Sequence, residues 1–226
     1  MTRSVLFDTE TTGLDPAQGH RVIEVAALEL ENDLPTGRHF HALVQPDRDI
    51  PQEAIRVHGI TPPKLVGKPR FPEIAAEMLA FFGDGKLVVH NAPFDFGFIS
   101  AELRLAGRPP LDPARMVDTL ALAKARFSGL PNSLDALCRR FGIDLSERTS
   151  HNALLDCKLL AEVYVELTGG RQRGLSLAEA AQTALPVVSY ASSGPRTPRP
   201  IAPSAAELAA HAAFVARLKE PLWPAT

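Results

Sequence analysis

Apolar residues come in two rhythms along the chain. Short apolar runs predict strands at Val5-Leu6-Phe7, which leads into Asp8, at Val22 to Leu30, at Phe40 to Val44, at Leu87-Val88-Val89 and at Met116-Val117. The segment ENDLPTG, Glu31 to Gly37, reads as the turn between the second and third, so the first three strands form a meander. Helical spacing covers Phe71 to Phe82, with Pro72 in a first turn where its missing N–H costs nothing. It returns from about Pro93 to Leu105, and again from near Asp118-Thr119. Ser133 can cap a helix through Phe141, stopped by Gly142. The longest helix runs from about Asn152 to Thr168 and meets Gly169-Gly170, a left-handed stop. A meander followed by alternating strands and helices predicts an α/β domain, a mixed sheet flanked by helices.

The pattern breaks after Gly170. Residues 185–203 hold five prolines among Ser, Thr and Arg, which describes a flexible linker rather than core. Helical order then resumes. Ser204 and Glu207 form a capping box, and Leu208, Ala212, Val215 and Leu218 make an apolar stripe through Lys219. Leu222 and Trp223, the only tryptophan, lie almost at the C-terminus. Three parts are expected: a domain over 1–170, a linker over 171–203 and a C-terminal segment over 204–226.

Composition narrows the class without choosing the function. At 226 residues, 45% apolar and 22% charged, the chain has the make-up of a globular protein. No apolar run approaches the roughly 20 residues that span a bilayer. The N-terminus runs straight into a strand, so no signal peptide is expected, and no membrane role. Cys138 and Cys157 fit neither a disulfide framework nor zinc-site spacing, and a reducing cytoplasm is the simplest home. Net charge is −2, from 24 Lys and Arg against 26 Asp and Glu. A free-standing nucleic-acid binder would show a basic excess. If the substrate is nucleic acid, metals would neutralise an acidic site and a partner would deliver the substrate.

Five residues carry the candidate chemistry: Asp8, Glu10, Asp95, His151 and Asp156. Asp8 and Glu10 alternate with Thr9 on a strand, so both carboxylates face one way, a repulsion that a hard cation relieves. Gly13, just beyond, lets backbone approach a ligand closely. Asp95 falls in the first turns of a helix, among Phe94, Phe96 and Phe98, which read mainly as core packing. His151 and Asp156 are about 140° apart around a helix, so they converge only if His151 belongs to the entering loop, with Thr149-Ser150 as caps. Each piece alone has a plainer reading: a surface-strand pair, an acid placed favourably at a helix N-terminus, a solvated histidine.

In combination they are more specific. DTETTG, HNAPFD and HNALLD, in that order, resemble the DEDDh 3′–5′ exonucleases of the DnaQ-like family, which have a ribonuclease H-like fold. The resemblance covers residues 3–170. It implies that Asp8, Glu10, Asp95 and Asp156 hold two Mg²⁺ or Mn²⁺ ions and that His151 is the general base. It also implies that Asp8, Thr9, Glu10, Glu53, His58 and Asp156 touch the terminal nucleotide. From the residues alone, PQEAIRVHGIT around Glu53 and His58 reads equally well as a polar surface loop.

Longer strings, among them NSLDALCRRFGID and RTSHNALLDCKLLAEVYVELTGG, are similar to the proofreading branch that serves bacterial DNA polymerase III. That likeness implies DNA 3′ ends, single-stranded or frayed, as substrate. It implies a C-terminal tether to the polymerase alpha subunit through Leu208, Leu222 and Trp223, and a place near the nucleoid. It further implies a sliding-clamp motif at Gln172, Leu175 and Leu177, although Leu177 stands where the common form has an aromatic residue. Tethering would raise effective concentration at a primer end without tight intrinsic affinity. Two other readings stay open: a stand-alone exonuclease acting on RNA or single-stranded DNA ends, and a catalytically silent subunit bridging polymerase and clamp.

Overall fold

The computed structural model describes residues 2–148, 151–169 and 202–219. The chain divides into two compact units, Met1–Leu175 and Ser176–Thr226.

In the first unit five strands form one sheet: β1 (Arg3–Thr11), β2 (Val22–Glu31), β3 (Leu34–Leu43), β4 (Lys86–Val89) and β5 (Met116–Asp118), in the order β3-β2-β1-β4-β5. β1 pairs antiparallel with β2, and β2 with β3, whereas β1–β4 and β4–β5 are parallel. The sheet is therefore mixed, as the sequence predicts, and β1 lies at its centre. Helices are α1 (Gln52–His58), α2 (Pro62–Leu65), α3 (Phe71–Phe82), α4 (Ala92–Leu105), α5 (Thr119–Arg126), α6 (Leu134–Phe141) and α7 (Ala153–Leu167). Strand alternation gives β1 two apolar faces. Val5 and Phe7 pack with Phe71, Met78, Phe82, Phe98 and Ile99 of α3 and α4. Leu6 packs on the other face with Cys157, Leu160 and Tyr164 of α7. The result is helix, sheet, helix in three layers.

Two sequence expectations need correction. The turn after β2 is only Asn32-Asp33, both left-handed at φ 52° and 66°, and β3 begins at Leu34 rather than Phe40. This two-residue turn suits a tight hairpin, for which Asn and Asp are favoured. Pro35 and Gly37 look like turn residues, but β3 is an edge strand, where a missing N–H is tolerated. Glu53 and His58 lie on α1, not on a loop. This helix begins after Pro51 and ends at Gly59, left-handed at φ 68°; seven residues are too few for periodicity to show.

Three buried or half-buried polar anchors set the helices against the sheet. Arg21, at the start of β2, grips Glu102 of α4 with two hydrogen bonds of 2.7 Å, and Glu102 also accepts from the Val22 N–H. Asp118 caps α5 by accepting from Leu120 N–H, and also accepts from the N–H groups of Asn91 and Ala92 where α4 begins. Glu24 of β2, 1% exposed, accepts from the Ala153 N–H and the Asn152 side chain at the start of α7, and bonds His41 of β3 at 2.7 Å. The cap of α7 itself is Asn152, whose Oδ1 accepts from Leu155 N–H; Thr149 and Ser150 lie outside the described residues.

In the second unit the expected capping box is present: Ser204 Oγ accepts from Glu207 N–H, and Glu207 accepts from Ser204 N–H. It opens α8 (Ala205–Val215), which stops short of the expected Lys219. Leu208, Phe214 and Leu218 are exposed. The linker up to residue 201, with Gln172, Leu175 and Leu177, and also Leu222 and Trp223, lie outside the described residues. Among those described, no helix is long and apolar enough to cross a membrane.

Glu102→Ala is expected to lower the unfolding free energy by about 3 kcal/mol, since it strands a largely buried Arg21. Urea unfolding checks this; a loss under about 1 kcal/mol would show that α4 is held without the pair.

Candidate active site

The second half of β1 delivers three polar residues to one end of the sheet. Asp8 and Glu10 share parity with Leu6 and so face α7, while Thr9 faces α4. Thr9 Oγ1 donates to Asp95 Oδ1 at 2.6 Å, which fixes a carboxylate in the first turn of α4. Asp95 is 3% exposed and Asp156, in the first turn of α7, is 4% exposed. Both acids therefore sit at helix N-termini, where the peptide dipoles favour negative charge. His151 lies before α7, in the entering loop that convergence with Asp156 requires. Its N–H donates to Val57 O of α1, and its Nδ1 lies 3.3 Å from Asp156 Oδ2.

All five expected residues line one cavity of about 650 Å³, together with Thr9, Glu53, His58 and Phe94. Glu10, His151 and Asp156 each bring a possible ligand atom within 4.8 Å of the others. Asp8 and Asp95 border the same space without joining that threesome. Of the three phenylalanines, Phe96 and Phe98 are core, and only Phe94 reaches the cavity. A second cleft of about 950 Å³ meets the first at Asp8, His90, Asn91, His151 and Asp156, and runs on past Asn132, Asp135 and Arg148.

Crowded carboxylates in a buried site resist ionisation. Burial pushes Glu10 up to about 8, helped by the charges of Glu24, Asp156 and Asp95. Burial likewise pushes Asp95 up to about 7, although the hydrogen bonds from Thr9 act against it. Asp8 is raised well above the usual range by burial and then by Asp95, Glu10 and Asp156. Asp156 alone goes the other way. Burial would raise it, but the hydrogen bonds and charge of Arg148 outweigh burial and leave it below the ordinary range. Oxygen and imidazole donors with this much unrelieved repulsion suit a divalent cation.

Two site residues escaped the sequence reading. Arg148 bonds both oxygens of Asp156, and Glu24 anchors α7 beside Glu10, its partner across β1 and β2. The available signals were a basic residue three before His151, and an acid inside the apolar run VIEVAALEL. His58 is 5% exposed. Its Nδ1 accepts from Ile60 N–H, while its buried Nε2 has no partner among the described residues. Burial, then the nearby His151, lowers its pKa against the pull of Glu24, so it is neutral and its proton belongs on Nε2. Cys157, next to Asp156, points away to the sheet, donates to Ala26 O at 3.4 Å, and is held as a thiol chiefly by burial.

The raised carboxyls make the sign of the pH dependence definite. A group whose pKa is higher folded than unfolded adds stability below its unfolded value, and that stability is lost as pH rises through the folded one. For Glu10 (4.5 to about 8) and Asp95 (3.8 to about 7), the loss runs from about pH 4 up to about pH 8. In chelator, the melting temperature should fall across this window, and Glu10→Gln with Asp95→Asn should flatten the fall. An unchanged slope in calorimetry of the double variant would refute the assignment.

Comparison with known proteins agrees with this geometry. The sequence profile of the family described as Exonuclease matches residues 5–164. A DNA polymerase III subunit epsilon from Rickettsia conorii is 45% identical over 221 residues, 96% of each chain. The protein of that name from Escherichia coli K12 is 45% identical over 178 residues, 76% of this chain and 73% of its own. Among solved structures, Exonuclease X in complex with 5′ overhanging duplex DNA superposes with a TM-score of 0.59 at 26% identity, over 74% of this chain and 91% of that one. The zinc-bound E. coli ExoI–ssDNA complex shares the fold at 20% identity and a TM-score of 0.63, over 74% of this chain and 41% of that one. The chain therefore belongs to the exonuclease family of DNA polymerase III epsilon subunits.

Proposed function

We propose that this chain is the proofreading 3′–5′ exonuclease subunit of a bacterial DNA polymerase III, releasing deoxynucleoside 5′-monophosphates from single-stranded or frayed DNA ends. The observation that carries this reading is the convergence of Asp8, Glu10, Asp95, His151 and Asp156 on one cavity. Asp8, Glu10, Asp95 and Asp156 would hold two Mg²⁺ or Mn²⁺ ions. When bound, such ions neutralise charge building on the phosphate and lower the pKa of a water.

The remaining work belongs to the chain. His151 is half-exposed beside the acids, where it can take a proton from the attacking water. The terminal nucleotide fits the smaller cavity, with Phe94 as an apolar wall and Thr9, Glu53 and His58 as polar contacts. A neutral His58 would offer its Nε2–H to a sugar or base acceptor. The larger cleft would take the strand behind it. The scissile phosphate then falls where the two spaces meet, at Asp8, His151 and Asp156.

The exposed apolar side chains Leu208 and Phe214 of α8, with Leu218 just beyond its end, suit docking on the polymerase alpha subunit, together with Leu222 and Trp223. Gln172, Leu175 and Leu177 would meet the sliding clamp. The three-part division, with 171–203 as tether, belongs to the same proposal.

Asp8→Ala should abolish shortening of a 5′-labelled single-stranded DNA while leaving far-UV circular dichroism unchanged. His151→Ala should slow it by about 10²–10⁴-fold, the range for loss of a general base. A near-normal rate in either variant overturns the role given to that residue. Pull-down of the alpha subunit should succeed with the full chain and fail with residues 1–180; retained capture by the short form would remove the tether.

A further inference from the structure

We propose that Arg148 is the resident counter-cation of the acidic site, holding Asp156 and His151 in the metal-free protein and giving up both when a divalent cation binds. The inference rests on the metal reading above and adds to it a competitor built into the chain.

The geometry is that of an occupied ligand site. Arg148 Nε lies 2.6 Å from Asp156 Oδ1 and Nη2 lies 2.7 Å from Oδ2, so both carboxylate oxygens are engaged in a planar fork. Nη2 also donates to His151 Nδ1 at 2.9 Å. A guanidinium has no lone pair to offer, so His151 must accept there, and the lone pair on that nitrogen is in use. Two of the three groups that can converge on a cation, Asp156 and His151, are thus tied to one side chain. The same side chain is 9% exposed and cannot simply be screened by water. Among the described residues, no Lys or Arg lines the nucleotide cavity, and the larger cleft is lined by Arg148 and Lys124, of which Arg148 bonds the acids at the junction.

A divalent ion and a guanidinium cannot share this carboxylate cheaply, because two cations only a few ångströms apart repel in a poorly hydrated site. Arg148 has somewhere to go. Nη1 already bonds Asp135 Oδ1 of α6 at 2.6 Å, and Asp135 is 39% exposed at the cleft wall. Release from Asp156 leaves that pair intact, so the positive charge need not be stranded. Freeing His151 Nδ1 in the same movement would make metal entry and release of the base one event.

The test uses the full chain, Mn²⁺ as probe, and two readouts that need no catalysis: free Mn²⁺ by electron paramagnetic resonance, and melting temperature in chelator. Arg148→Gln should bind Mn²⁺ about tenfold more tightly, as expected for removing a charge-assisted competitor. In chelator it should melt about 5 °C or more below the parent, and Mn²⁺ should raise its melting temperature by more than it raises the parent's. Arg148→Lys, which keeps the charge but cannot form the planar fork on Asp156, should tighten Mn²⁺ binding by a smaller factor and covers the case in which Arg148→Gln does not fold. Lys124→Gln removes an equal charge from the same cleft and should change nothing. Mn²⁺ affinity in Arg148→Gln equal to or weaker than the parent's, or equal tightening by Lys124→Gln, overturns the proposal while leaving the metal reading in place. A parent protein that binds no Mn²⁺ overturns both.

Discussion

Repulsion among carboxylates at one end of β1 is the constraint around which the rest of this structure is arranged. Asp8, Glu10, Asp95 and Asp156 share a buried space, and Glu24 adds a fifth acid next to Glu10. Left to themselves these groups would turn outward to water. They stay because each is fixed by a different rigid element: the central strand for two, the opening turns of α4 and α7 for the others. Sites of this kind store unfavourable energy that the surrounding core must offset. Here the offset comes from two apolar layers, one on each face of the same sheet.

The polar anchors have a common logic. Glu102, Asp118 and Glu24 are each buried or half-buried acceptors that collect backbone N–H groups at the start of a strand or helix. Each satisfies donors that a helix or strand start leaves open. Each also fixes the direction of the element that carries a site residue. Thr9 does the same at shorter range, crossing from strand to helix to hold Asp95. Position within the site is thus set by side chains that never face the cavity as well as by those that do.

Much of this was legible in the sequence, because strong local patterns survive folding. The apolar runs at Val5, Val22 and Leu87 are strands, and the Asp-x-Glu pair faces one way because period-two alternation on a strand is unforgiving. His151 lies in the loop before α7, where the helical angle requires it to be if it is to meet Asp156. What failed to show was short or long-range. Helix α1 spans two turns and so has no periodicity to read, and β3 hides behind Pro35 and Gly37, which an edge strand accepts. Arg148 and Glu24 matter only through partners that folding brings near, across 8 residues to Asp156 in one case and 129 to Ala153 in the other.

Cys157 adjoins Asp156 in sequence, yet its sulfur is turned into the sheet and bonded to Ala26. Cys138 is buried as well, and burial pushes its thiol up to about 11. Neither side chain offers a thiolate to the cavity, so the donor set there is oxygen and imidazole alone. Thiophilic ions find no sulfur to hold them, and peroxides, which oxidise thiolates, find none beside the acids. The chemistry of this site is thereby insulated from changes in the redox poise around it.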